Sequence, residues 1–185
     1  MKPLKKIIQE QLKDLEADNA KTVIAAIEKL RAVGDESVIP HIVKVLVNHP
    51  LEDVKNAASH FLFDLKDAKV LPTLINEIQD PENKEYQRIL VSACWESSMN
   101  CSAYLPFFID LAIISDYMVC LECLTVIENM EGPFELQEIN DAIEKVKNAA
   151  DEDEEGKYEL LNSIWEVLVD IRTSLEESSF NFSEN

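Results

Sequence analysis

Cys94, Cys101, Cys120 and Cys123 are the residues in this sequence whose types and spacing first suggest chemistry. Cys120-Leu-Glu-Cys123 is a Cys-x-x-Cys pair, and four thiolates can hold a zinc ion. Structural Cys-x-x-Cys knuckles usually sit in turns, and a redox pair needs the motif at a helix N-terminus, where the thiolate is stabilised. Here the pair falls in the middle of the helical pattern DYMVCLECLTVIENMEG (116–132). No second Cys-x-x-Cys exists. Cysteine in a helical pattern behaves as a small buried hydrophobe. The reading is therefore no metal, no cofactor and free thiols, which suits a reducing compartment.

A second candidate is Asp151-Glu-Asp153-Glu-Glu155-Gly156. Its Asp, Asp, Glu and Gly match the first, third, fifth and sixth places of a calcium-binding EF-hand loop, and Glu159 matches the ninth. The twelfth place, which should supply a bidentate glutamate, is Asn162. A solvated acidic turn fits these residues better than a calcium site. Nucleophilic catalysis lacks its parts: there is no GxSxG and no Gly-rich phosphate loop, and the three histidines are His41, His49 and His60. No catalytic residue is assigned.

Charge narrows the partners. The formal net charge is −19, and it is graded along the chain. Residues 1–50 carry 8 basic and 7 acidic side chains, 51–100 carry 5 and 9, 101–150 carry 2 and 9, and 151–185 carry 2 and 11. Such a field repels phosphate backbones and attracts cationic surfaces, so no direct nucleic-acid partner is expected. The N-terminal MKPLKKIIQEQLKDLEAD has no uninterrupted apolar run of the secretory kind. No apolar stretch approaches the ~20 residues that span a bilayer. The expected setting is cytoplasmic, with no membrane contact.

Three segments can be superposed: VIPHIVKVLVNHP (38–50), VLPTLINEIQDP (70–81) and YLPFFIDLAIISD (104–116). Each opens apolar-apolar-Pro, continues with helical spacing and stops at a breaker after about ten residues. Proline suits a first helical turn, where the N–H has no intrahelical partner. A longer helical pattern follows each segment, at 51–67, 82–98 and 116–132, and another at 19–35 precedes the first. The repeating unit is a short helix, a turn and a longer helix, with a period of 32 to 34 residues. A fixed period in this range marks a stacked array, because one pair cannot bury its own apolar stripe.

With Pro40, Pro72 and Pro106 in the first helix of each pair, and Asp53-Val54, Ala57-Ala58, Leu62 and Leu65 in a second helix, the chain resembles a HEAT-repeat protein, including the short bacterial kind. The resemblance implies an all-α solenoid, an α-α superhelix of about five antiparallel helix pairs. It is read as a single domain over 1–177: a capping helix within 1–18, core repeats over 19–132 and a final helix pair over 133–177. Residues 178–185 are read as a frayed tail.

The resemblance also implies that the second helices line a concave binding face. At an offset of 32, Phe63 falls opposite Trp95, and Val126, 31 residues further on, is set opposite both in the next copy. These three are the candidate apolar floor. His60, Arg88 and Glu122 flank it, with Ser59, Gln87 and Ser92 on the same solvated face. The competing reading is a second core stripe that meets the neighbouring pair. The function expected is a non-catalytic protein–protein interaction scaffold that binds a basic peptide or protein through this face. Two alternatives stay open: a small HEAT-like enzyme of the lyase or hydroxylase kind, and an acidic mimic of nucleic acid. No histidine is followed by Glu, the dipeptide that iron-holding HEAT-like enzymes use.

Overall fold

A computed structural model describes the backbone of residues 4–151 and 156–183 and the side chains of 4–150 and 156–178. Among the described residues the chain is all α, with ten α-helices, four 3₁₀ turns and no strand. The helices are α1 (Leu4–Asp14), α2 (Ala20–Val33), α3 (Ile39–Asn48), α4 (Glu52–Phe63), α5 (Leu71–Gln79), α6 (Gln87–Glu96), α7 (Leu105–Ile114), α8 (Tyr117–Glu128), α9 (Leu136–Asp151) and α10 (Tyr158–Ser183).

The chain divides into two compact units, Met1–Met99 and Asn100–Asn185. Within unit 1, each helix packs on its partner in the pairs α1–α2, α3–α4 and α5–α6. Helix α4 also touches α2 and α6, and α3 touches α5. Its core is a run of wholly buried aliphatics, among them Ile27, Leu30, Ile39, Leu46, Leu62, Leu74 and Leu90. Within unit 2, α7 pairs with α8 and α9 with α10, while α7 also touches α9 and α8 touches α10. Leu105, Phe108, Ile109, Ile127, Ile164 and Leu168 fill that core. Each such Leu or Ile contributes about 1.5–3 kcal/mol by leaving water.

The proline segments start by one device. Asp35 accepts a hydrogen bond from the Ser37 amide (3.0 Å), Asp67 from the Lys69 amide (3.0 Å) and Asn100 from the Ser102 amide (3.1 Å). Each closes a 3₁₀ turn, at Glu36–Val38, Ala68–Val70 and Ser102–Tyr104. Short polar side chains bond their own backbone in this way and set up a turn. The helices α3, α5 and α7 then begin, with Pro40, Pro72 and Pro106 as their second residues. In the third copy asparagine, one position earlier, does the work of the aspartates.

Two expected boundaries differ. The pattern over 82–98 opens as a 3₁₀ stretch, Pro81–Tyr86, and becomes α-helical only at Gln87. The buried polar side chains explain why. Asn83 Nδ2 donates to the Glu77 carbonyl (3.0 Å) and Gln87 Nε2 to the Ile78 carbonyl (2.9 Å), so both serve the open C-terminal end of α5. The last helix continues through Ser183, across most of the segment read as a frayed tail.

The C-terminal end of α7 is closed by a side chain from far along the chain. Lys157 is buried, at 3% exposure. Its ammonium donates to the carbonyls of Ile113 (2.6 Å), Ser115 (2.6 Å) and Ala112 (3.4 Å). A cation suits this place because the last carbonyls of a helix carry partial negative charge and lack amide partners. Lys157→Met keeps most of the stem and removes the donors. Its expected cost is about 2–4 kcal/mol in urea unfolding, against less than about 0.5 kcal/mol for Lys147→Met at an exposed site.

Candidate binding surface

The four cysteines are buried. Cys120 and Cys123 lie inside the α8 packing faces, and burial, with Cys120 and Glu122 nearby, pushes the Cys123 thiol well above its ordinary value. Among the described residues no group of three or more His, Cys, Asp or Glu is gathered as a metal ion requires. Residues 151–155 of the acidic turn lie outside the described side chains. Asn162, at the twelfth loop place, donates to Glu166 one turn on (3.2 Å), an ordinary helix-surface pair.

The residues proposed for a concave row divide between the units. In unit 1, Phe63 and Trp95 are half-buried, while His60 and Arg88 are exposed. The His60 and Phe63 rings lie 6.4 Å apart. Arg31 joins them: it donates to the His60 carbonyl (3.4 Å), pairs with Asp64 and reaches Glu28 (3.3 Å). The same offset of 32 that aligns Phe63 with Trp95 places Arg31 before them, a signal the sequence reading did not use. Ser59, Gln87 and Ser92 are buried, not solvated. Ser59 and Ser92 turn their hydroxyls back onto the Lys55 and Ile89 carbonyls of their own helices.

In unit 2, Glu122 is half-buried and Val126 is 2% exposed. Val126 is therefore core and offers nothing to a partner. Helix α8 packs against both α7 and α10, so it needs two apolar stripes, and Val126 belongs to one of them. This is the competing reading of the aromatic row, and at Val126 it holds.

Unit 2 carries a different feature, a groove of about 430 Å³ between the end of α8, the segment after it and α10. Met130, Phe134, Val167, Ile171 and Leu175 supply its apolar surface, and Glu128, Glu131 and Asp170 are exposed around it. Local hydrogen bonds hold the segment that carries Met130 and Phe134. Asn129 Nδ2 caps the Thr125 carbonyl (2.8 Å). The Gly132 carbonyl accepts from Asn100 Nδ2 (2.6 Å) and Ser102 Oγ (2.8 Å), and the Glu131 amide donates to Asn100 Oδ1 (3.4 Å). Gly132 has φ +81°, and a Cβ there would meet the Phe134 ring at 3.3 Å.

A larger cavity of about 470 Å³ lies in unit 1 beside α1 and α3. Its polar lining is mixed in sign, with Lys44, His41 and His49 beside Glu16 and Asp18, and Lys44 already faces Glu16 at 3.7 Å. It therefore presents no single field to a charged partner. In unit 2 the field is one-sided: residues 100–185 carry 4 basic and 20 acidic side chains, against 13 and 16 in residues 1–99.

No protein-family model and no curated protein matches this chain. Among the described residues, no helix is long and apolar enough to cross a membrane.

Two outcomes follow from this geometry. Gly132→Ala is expected to cost about 1–2 kcal/mol, because a side chain is strained at positive φ and crowds Phe134; thermal unfolding measures it. A water-soluble thiol reagent at mildly alkaline pH is expected to leave all four cysteines unreacted in the folded chain and to titrate four in denaturant. Rapid labelling of Cys120 or Cys123 in the folded chain would contradict their burial.

Proposed function

We propose that this chain is a non-catalytic scaffold of the HEAT-like kind, a stack of five antiparallel helix pairs, that binds a basic protein or peptide. The stacking is supported inside each unit by helices that pack on their sequence neighbour and on the helix two places along. It is supported also by the recurring Asx-capped turn and proline start.

The observation that carries the basic partner is the charge of residues 100–185. Of their four basic side chains, Lys157 is consumed by the α7 carbonyls and Lys145 pairs with Asp110. Residues 100–185 thus keep a formal excess of 16 negative charges, 20 acidic against 4 basic side chains. A surface of one sign steers an oppositely charged partner, speeds association and rejects like-charged ones. The Phe63–Trp95 surface of unit 1 fits this role less well, since beside His60 it is mixed in sign, with Arg31 paired to Asp64 and Glu28. Unit 2 is the better-supported recognition surface.

The test is binding of a fluorescent lysine-rich peptide, with a glutamate-rich peptide of equal length as control. Binding of the lysine peptide is expected, slowing in association and weakening steadily as ionic strength rises from about 20 to 300 mM, where the screening length falls below about 6 Å. Equal binding of both peptides would sink the charge argument.

A further inference from the structure

Helix α10 is longer than its pair partner can cover. It has 26 residues against 16 in α9, about 39 Å against about 24 Å. Its buried residues, Leu160, Leu161, Ile164 and Leu168, all lie in its first half. Among the described side chains after Leu168 none is buried. The apolar stripe does not stop there. Val167, Ile171 and Leu175 continue it at intervals of four, half-exposed, with Ser174 and Ser178 beside them in the groove wall. An isolated surface helix has no use for an uncovered stripe of this kind, whereas a helix laid alongside it would bury the whole row.

We propose that the groove formed by Met130, Phe134 and the Val167–Ile171–Leu175 stripe is the docking site for a basic amphipathic helix of a partner protein. This deepens the scaffold reading and rests on it. The stripe from Val167 to Ser178 is about 16 Å long, enough for three turns of a helix whose apolar face carries residues at i, i+4 and i+7. The charge sets the sign of the occupant. Glu128, Glu131 and Asp170 are exposed around the groove, and among the described residues no lysine or arginine lines it. Lysines or arginines on the flanks of the docked helix would meet these carboxylates, while its apolar face meets Phe134, Ile171 and Leu175. A second copy of this chain is a poor occupant, because 20 acidic side chains on each unit 2 repel one another.

The probe is a synthetic peptide of about 14 residues, leucines on one helical face and lysines on the other, followed by fluorescence anisotropy at low salt. A scrambled peptide of the same composition has the same charge and no apolar face. Wild type is expected to bind the amphipathic peptide about tenfold more tightly than the scrambled one. Ile171→Ser and Leu175→Ser are each expected to remove about tenfold in affinity. Glu131→Gln and Asp170→Asn, at exposed positions that leave folding intact, are expected to remove about two- to fivefold and to flatten the salt dependence. Circular dichroism checks the serine variants, and the charge variants decide if those unfold.

Unchanged affinity across the groove variants would overturn the groove and leave the scaffold reading standing. Failure of wild type to bind either lysine peptide would overturn the scaffold reading itself. A wild-type dimer in sedimentation that Ile171→Ser dissolves would make the occupant a second copy and overturn the proposed partner.

Discussion

A helix of nine or ten residues leaves four amides and four carbonyls without partners inside it. For α3, α5 and α7 those open groups are nearly as numerous as the closed ones, and everything else in the chain has to accommodate them. At the N-terminal ends the answer is local. An Asx side chain closes a 3₁₀ turn, and proline occupies a position where its missing N–H costs nothing. At the C-terminal ends of α5 and α7 the answer comes from elsewhere. Asn83 and Gln87 serve α5, and Lys157 serves α7. These polar groups are buried because the carbonyls they serve are buried, so the short helices dictate where buried polarity is allowed.

The short helices were readable from their prolines because proline restricts both its own φ and the residue before it. Predicted and observed segments agree within one or two residues at α3, α5 and α7. The longer helices were readable from apolar spacing, except where a polar residue had a distant task. Gln87 reads as a surface position of a helix, yet it is buried and marks where the 3₁₀ stretch ends. Lys157 follows the acidic run 151–155 in the sequence. Nothing local announces that its partners lie more than forty residues upstream. At the end of α10, Ser, Asn and Phe favour helix weakly, and the helix nevertheless continues through them.

Binding surfaces were harder to read than helices. Periodicity shows that α8 has two apolar stripes but not whether the second faces solvent or a helix, and Val126 proved to face the core. Phe63 and Trp95 keep partial exposure in unit 1. The unit 2 groove depends on Met130 and Phe134, which lie outside any periodic pattern, and on the bonds of Asn100 and Ser102 to Gly132. The other half of the groove was in plain sight: Val167, Ile171 and Leu175 extend an apolar stripe past the point where the paired helix could cover it.

The Lys157 contact also orders events in time. The three carbonyls it serves lie 42 to 45 residues before it, with α8 and α9 in between. In unit 1, the corresponding closures at α5 span only six and nine residues. A chain emerging N-terminus first can therefore finish α5 as soon as the next helix begins. It must hold α7 with its last turn open to water until two further helices have been made. The two helix ends thus depend on different lengths of chain: α5 is closed by the stretch that directly follows it, and α7 by a single ammonium group two helices later.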